Sequence, residues 1–365
     1  MKDIRLYIVV CDNCSSKKSN SMKPIVHSLL LSLFITLTLS FGGYAQDIHF
    51  SQFFETPLLR NPALAGIFSG DMRLQSVYRT QWQSVTVPYQ TVSFNGEFKL
   101  AIGKADDFIT LGGEVLYDQA GTVALTTTHI LPAINYHKSL SADRNMYISL
   151  GFMGGLVQRS IDQSKITTNS QFDGNGYNGA LPTGETFTKS AYSYFDASTG
   201  ISFNTQVGDK EDNNLFLGVA YHHFNQPRDI SFYGVAADEL TPKWVYSGGL
   251  RMSTAEDSYV TFQGDYSTQG PYTEFEAGAL LTKKLDDIDD PKYLINGGLF
   301  LRWNDALIPV AKVEAKPLSI SVSYDVNISQ LTSASSGRGG FEMALSYQKY
   351  FEHNSSKDAV RCPRF

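Results

Sequence analysis

The sequence predicts an all-β fold, a transmembrane antiparallel β-barrel of about fourteen strands with an N-terminal arm and long extracellular loops. In residues 317–329, apolar side chains alternate with polar ones, as in a strand with one apolar and one polar face. Similar segments of about ten residues, the length that a tilted strand needs to cross a bilayer, recur along most of the chain. Abundant glycine (30), tyrosine (20) and phenylalanine (23) fit the turns and aromatic girdles of such a barrel.

Composition narrows the classes of partner. The formal net charge of −6 comes with no basic stripe, which argues against nucleic acid as a partner. Only 18% of the 365 residues are charged. The chain is long enough for two ordinary domains, but large barrels reach this length as one domain.

The N-terminal region has the three parts of a secretory signal. Lys23 precedes the apolar run 29–39, and the small residues Gly43 and Ala45 follow it. We expect residues 1–45 to be an N-terminal extension and cleaved signal peptide, with Met22 as the natural initiator or, as the alternative, a long n-region before the apolar run. Residues 46–70 would then form the arm, 71–351 the barrel and 352–365 a periplasmic tail.

Alternation of apolar and polar residues predicts the strands in chain order. In the first, Met72, Leu74 and Tyr78 oppose Arg73 and Arg79, whose charges indicate the lumen side. The remaining strands are expected near residues 91–100, 108–117, 122–137, 147–157, 191–204, 215–224, 243–252, 259–266, 272–282, 293–303, 307–315, 318–328 and 341–350. The predicted strand count is even, as it is in single-chain bacterial barrels.

Connection lengths indicate the orientation. With the N-terminus in the periplasm, the long connections 158–190 and 225–242 lie outside, as outer-membrane barrels require. The connection 304–306 is unusually short for an outside loop and raises the alternative of a miscounted strand. A soluble β-sandwich also alternates, but the repeated outward Tyr, Trp and Leu residues favour the barrel.

Charges predicted to face the lumen are mixed in sign. A selective pore would display one sign around a ring. Mixed charges are more consistent with pairing across neighbouring strands and a filled interior. The sequence therefore favours a narrow or plugged lumen, lined by these residues: Arg73, Arg79, Glu97, Lys99, Glu274, Glu276, Arg302, Lys312, Glu314 and Lys316.

No motif predicts catalysis, a metal or another cofactor. The glycines 174, 176 and 179 match a dinucleotide-binding spacing, but they lie in a loop without strand-turn-helix context. The aspartates at 286–290 lack the spacing of a calcium loop and are better read as a solvated turn. His222 and His223 adjoin on a strand, so they are expected to point to opposite faces.

Three blocks carry a family resemblance: residues 47–54 with 60–66, residues 78–82 with 88–89, and residues 339–342 with 362–365. Their order and separation resemble the PorP/SprF family of type IX secretion system outer-membrane proteins. The chain departs from the usual pattern at Ile48 and Thr80. The resemblance implies a bacterial outer-membrane barrel that supports secretion of cargo, or holds large adhesins at the cell surface. It also implies contact with type IX components and a periplasmic peptidoglycan-associated protein.

The candidate site comprises the residues of these blocks, which either bind a partner or plug the barrel. Structural packing is the simpler interpretation for the aromatic residues and the Asn61-Pro62 turn. The candidates are His49, Phe50, Ser51, Gln52, Phe53, Asn61, Pro62, Gly66, Arg79, Gln81, Trp82, Cys362, Pro363, Arg364 and Phe365. A general solute channel is the main alternative function. An outer-membrane enzyme would need a nucleophile and base on one face, and the sequence offers no such set.

Overall fold

The computed structural model describes residues 47–351, apart from 84–86, 103–105, 142, 211, 235–238, 289, 331 and 336. The predicted signal peptide and the predicted tail, 352–365, lie outside the described residues. No helix in the described part is long and apolar enough to cross a membrane.

The fold is a closed antiparallel barrel in which every strand pairs with its chain neighbours and β1 pairs with β14. The prediction of about fourteen strands is confirmed. The strands are β1 Met72–Gln81, β2 Tyr89–Ile102, β3 Asp107–Ala120, β4 Leu125–Ser141, β5 Met146–Ser160, β6 Ala191–Gln206, β7 Asn214–His222, β8 Lys243–Ala255, β9 Ser258–Gln269, β10 Tyr272–Lys284, β11 Tyr293–Arg302, β12 Ala306–Ala315, β13 Leu318–Asn327 and β14 Arg338–Lys349. The described residues also form two short helices, α1 (Pro57–Arg60) and α2 (Thr332–Ser335), and four 3-10 turns, Phe53–Glu55, Pro62–Leu64, Gln163–Lys165 and Asn169–Gln171.

The two faces of each strand follow the sequence alternation. Along β13, Ile320, Val322 and Tyr324 are exposed on the outer surface, whereas Ser321 and Ser323 are buried inside. A belt of outward apolar side chains is what the hydrocarbon layer requires, and inward polar groups need partners within the lumen.

The two rims of the barrel differ in the length of their connections. One rim carries the long connections 161–190 and 223–242, and we call it the outer rim because outer-membrane barrels have long loops outside. The opposite rim, with turns such as 256–257 and 316–317, is the periplasmic rim. The short connection 303–305 lies on the outer rim and is a tight turn between β11 and β12, so no strand was miscounted.

Lumen charges pair in two ways. Arg73 of β1 binds Glu97, its register partner on β2, with Nη2 to Oε1 at 2.7 Å, as expected for pairing across strands. Lys312 of β12 instead donates to Glu55 of the arm at 2.8 Å. The interior is therefore filled by arm residues as well as by strand residues.

An arginine on the lipid face of β13 is expected to be poorly tolerated. Val322 is 39% exposed on the outer surface. We expect Val322→Arg to destabilise the barrel by roughly 2 to 4 kcal/mol near the bilayer midplane, because the guanidinium would enter hydrocarbon. Urea unfolding in lipid vesicles measures this change.

The neighbouring Ser321 is not a suitable control, although it faces the lumen. It is only 2% exposed, and its hydroxyl donates to Gln52 of the arm at 2.5 Å. An arginine there would collide with the arm. Ser319 lines an open cavity at the periplasmic rim and is the better match. Equal destabilisation by Val322→Arg and Ser319→Arg would contradict the lipid-facing assignment.

Candidate functional site

The described part of the N-terminal arm, residues 47–70, runs through the lumen from one rim to the other. Asp47 contacts His223 and Gln269, which lie at the outer ends of β7 and β9. At the other end, Asp71 N donates to the carbonyl of Lys349, the last residue of β14, at 2.9 Å. The arm therefore enters at the outer rim and leaves at the periplasmic rim, where β1 begins.

Apolar arm residues pack against the wall on all sides. Phe50 contacts Val77 of β1, and Phe53 meets Phe300 of β11 edge to face at 5.5 Å. On other sides of the lumen, Leu58 packs against β4 and β5, and Leu64 packs against β7. Full burial of each such side chain contributes about 1.5 to 3 kcal/mol. The arm is thus held as a plug by contacts with most of the circumference.

Four buried charges hold the part of the arm nearest the outer rim. We call them the seam clamp: Arg79 of β1, Arg302 of β11, Asp325 of β13 and Glu342 of β14. Arg79 Nη1 binds Glu342 Oε1 at 2.7 Å, and Arg302 Nη2 binds Asp325 Oδ2 at 2.5 Å. All four side chains are almost fully buried. Two positive and two negative charges balance, which buried ions require.

The arm completes the hydrogen bonding of the seam clamp. Ser51 N and Gln52 N donate to the two carboxylate oxygens of Glu342 at 2.6 and 2.8 Å. The Ser51 hydroxyl donates to Asp325 at 2.8 Å. Arg79 also donates to the carbonyl of His49 at 3.1 Å. Withdrawing the arm would leave these buried carboxylates short of donors.

A second contact is a glycine recess, made by the lumen-facing Gly151, Gly200 and Gly218 of β5, β6 and β7. A Cβ on Gly151 would lie 2.5 Å from Ala63 N, and one on Gly218 would lie 2.8 Å from Asn61 Nδ2. Glycine within a strand often marks such a close approach of another backbone. The 3-10 turn Pro62–Leu64 fits directly against this part of the wall.

Hydrogen bonds and an ion pair hold the arm segment in the glycine recess on both sides of the turn Pro62–Leu64. Arg60 forms a bidentate ion pair with Asp265 of β9, at 2.5 and 2.7 Å. Its carbonyl accepts a hydrogen bond from His222 Nε2 at 3.1 Å. Asn135 of β4 donates to the carbonyls of Ala63 and Ala65 at 2.9 and 2.8 Å.

His223 fastens the start of the arm to the outer rim. Its ring nitrogens lie 2.8 Å from Asp47 and 2.8 Å from Asp196. The expectation that His222 and His223 face opposite sides is wrong. The strand ends at His222, and His223 adopts a positive φ of 57°, which turns its ring inward.

Ionisation strengthens this fastening. Burial disfavours the charged imidazole, but Asp47 and Asp196 outweigh burial and raise the pKa of His223 to about 10. Burial likewise favours a neutral Asp47 carboxyl, yet His223 and Lys243 hold the pKa of Asp47 well below its usual range. The contact is therefore an ion pair at neutral pH.

This ion pair predicts a pH-dependent stability. A raised histidine pKa contributes stability that is fully present below its usual value of 6.5 and is lost as the pH rises through about 10. The lowered pKa of Asp47 removes the contribution as the pH falls below 3.8. We expect the difference in thermal midpoint between wild type and His223→Gln to be largest between pH 3.8 and pH 6.5, where both contributions are present. Thermal unfolding at a series of pH values tests this, and parallel profiles would contradict it.

The structure brings together most of the residues proposed from the sequence. Those of the arm lie inside the lumen, and Arg79 belongs to the seam clamp. Gln81, with its amide oxygen towards the guanidinium, accepts from Arg79 Nε at 2.8 Å, and Trp82 lies beside it at the outer rim. Cys362, Pro363, Arg364 and Phe365 lie outside the described residues.

Sequence reasoning missed several residues of the site. Arg302 is among the predicted lumen charges and Glu342 lies in the third block, but alternation does not show which charges meet the arm. Gly151 and Gly200 could have been found, since glycines on the lumen face of adjacent strands indicate close packing. Alternation also places Asp325 on the polar face of its strand, but the partners of Asp265 and Asp325 could not be predicted, because they are far away in sequence.

Metal-ligating residues are dispersed in the described part of the chain. No group of three His, Cys, Asp or Glu residues there could hold a metal ion. Asp286 accepts backbone hydrogen bonds from Lys292 and Tyr293, so it shapes the turn before β11. Asp173 does the same for Asn175 and Gly176 in the glycine-rich loop.

A family model described as "Type IX secretion system membrane protein PorP/SprF" matches residues 42–347. The chain belongs to the PorP/SprF family. The resemblance to this family is thereby confirmed, and the matched range includes all of the sequence blocks except residues 362–365. Membership of this family, together with the multi-strand barrel, places the protein in the outer membrane. No curated protein matches the sequence.

Solved structures agree with the barrel fold. The toluene transporter TbuX of Ralstonia pickettii shows 11% identity and a TM-score of 0.50, covering 85% of this chain and 96% of its own. The monoaromatic hydrocarbon channel CymD shows 11% identity and a TM-score of 0.47, with 86% and 96% covered. At such low identity, the likeness to TbuX concerns the fold alone.

Proposed function

We propose that this PorP/SprF protein is a non-enzymatic component of the type IX secretion system that supports secretion or surface attachment of cargo such as large adhesins. Family membership associates it with that system. The observation that favours a scaffold over a solute channel is the arm, which runs through the lumen from rim to rim and is held by the seam clamp and the glycine recess. Partners would then bind at the rims.

The periplasmic rim offers a place for one such partner. A cavity of about 590 Å³ opens there between the arm and a wall made by β1 and strands β8–β14. Its wall carries both signs of charge, including the pairs Lys284–Asp212 and Lys316–Asp290. A peptidoglycan-associated protein or another periplasmic type IX component is the partner class that we assign to this rim.

Two measurements test the proposal. Deletion of the gene is expected to abolish surface exposure of at least one type IX cargo protein; unchanged display of all cargo would refute the secretion role. The purified protein is expected to be silent in planar bilayers, because the arm blocks the lumen. Steady ion conductance by the wild-type protein would favour the solute channel instead.

A further inference from the structure

In the part of the chain that the structure describes, the outer part of β6 has a neighbouring strand on one side only. β6 pairs with β5 from Ala191 to Asn204, but with β7 only from Thr199 to Gln206. The chain of β7 turns away at His223, whose φ is positive. Among the described residues, 191–198 therefore have a strand partner on the β5 side only.

The hydrogen bonds at the two ends of this segment show which backbone groups face the edge. At one end, Ala197 N donates to Asn225 Oδ1 at 3.0 Å, and its carbonyl accepts from Phe224 N at 3.1 Å. At the other end, Lys189 N donates to the carbonyl of Phe232 at 3.2 Å. Since a strand has a period of two, the odd-numbered residues between these points also face away from β5.

Most of those intermediate groups are unpaired. The carbonyl of Phe195 accepts from Asn225 Nδ2 at 2.6 Å. The N–H groups of Ala191, Ser193 and Phe195, and the carbonyls of Ala191 and Ser193, have no hydrogen-bond partner among the described residues. They repeat at the two-residue spacing of a strand and match an incoming extended segment of about five residues.

The surroundings leave room for such a segment. A cavity of about 570 Å³ lies between residues 191–195 and the loop residues 225–229. Proteins normally protect an open edge with proline, a charged side chain or a bulge. Ala191, Ser193 and Phe195 provide none of these, and Phe195 is 56% exposed at the same edge. Unpaired backbone groups cannot face lipid hydrocarbon, so this edge needs water or a partner.

We propose that this open edge of β6 receives an extended strand from the exported surface protein, an interaction that rests on the function proposed above. Strand addition to an exposed edge takes its affinity from main-chain hydrogen bonds and its selectivity from alternate side chains. Here Ser193 supplies the central donor and acceptor, and Phe195 supplies an apolar contact for the partner. The edge belongs to the outer part of the wall, where a protein held at the surface is accessible.

Proline at position 193 tests the strand addition. Ser193→Pro removes the N–H that faces the edge and leaves the ladder with β5 intact, whereas Ser193→Ala keeps that N–H. In cells with a complete type IX system, p-benzoylphenylalanine is incorporated in place of Ala191. Irradiation cross-links it to whatever lies at the edge, and mass spectrometry identifies the cross-linked protein. We expect an adduct with an exported surface protein in wild type and Ser193→Ala. Ser193→Pro should reduce it about tenfold, the ratio that corresponds to 1.4 kcal/mol.

The outcomes separate this proposal from the function on which it rests. An equal adduct yield in Ser193→Pro, or an adduct only with a second copy of this chain, overturns the strand addition. If Ser193→Pro fails to reach the outer membrane, Phe195→Pro is used in its place, because it also removes an N–H that faces the edge. If both fail, the identity of the wild-type adduct decides. If cargo display is normal with Ser193→Pro but lost with the gene deletion, only the strand addition at the β6 edge is refuted. If cargo display is normal in the deletion, the proposed secretion function is refuted.

Discussion

Arg79→Ala is expected to destabilise the protein by about 3 to 5 kcal/mol, because removing one partner of a buried ion pair leaves the other charge uncompensated. Arg79 contacts Glu342 at 2.7 Å and Asp325 at 3.3 Å, and both carboxylates are almost fully buried. The change also removes the donor to the carbonyl of His49. Urea unfolding of the refolded barrel in vesicles measures the loss.

A surface ion pair is the matched control. Lys283 contacts Asp257 at 2.8 Å, a distance close to that in the seam clamp, but its side chain is 61% exposed. Exposed pairs typically contribute about 0 to 1 kcal/mol. Lys283→Ala should therefore change the free energy of unfolding little. If Arg79→Ala destabilised the barrel no more than Lys283→Ala, the clamp would not be holding the arm.

Gly151→Ala is expected to displace the arm from the wall. The added Cβ would collide with backbone atoms of Pro62 and Ala63, which cannot rotate away as a side chain could. Overpacking of this kind costs about 1 to 3 kcal/mol. We expect a lower thermal midpoint together with faster proteolysis of the arm and the appearance of conductance in planar bilayers.

The control for this substitution lies on the lipid face of the same barrel. A Cβ on Gly297 of β11 would meet nothing within 4 Å. Gly297→Ala should leave the arm in place and the bilayers silent. Conductance in both variants, or in neither, would show that the glycine recess does not seat the arm.

The barrel itself could be predicted from the sequence because its determinants are local. Alternation along segments such as residues 318–328 assigns each side chain to lipid or lumen, and hydrogen bonding between neighbouring strands follows from short connections. The apparent difficulty at residues 304–306 disappears in the structure, since a tight turn is sufficient to join β11 and β12.

A plugged lumen could be predicted from the sequence, but the contacts that hold the plug could not. The arm has no period, so no pattern assigns its side chains to a face. Its contacts join residues that are far apart, as Ser51 N and Glu342 are, with a separation of 291 positions. His223 shows the same limit on a smaller scale, because a single positive φ reverses the direction that strand alternation predicts.

The seam clamp has a consequence for the order of assembly. Arg79 and Glu342 are register partners on β1 and β14, the first and last strands of the chain, so their ion pair forms only when the ring closes. Ser51 and Gln52 also bind Glu342, which places the arm inside at that moment. Closure of the ring and capture of the arm would then be one cooperative step, so a nascent barrel that closed while empty would leave buried carboxylates short of donors.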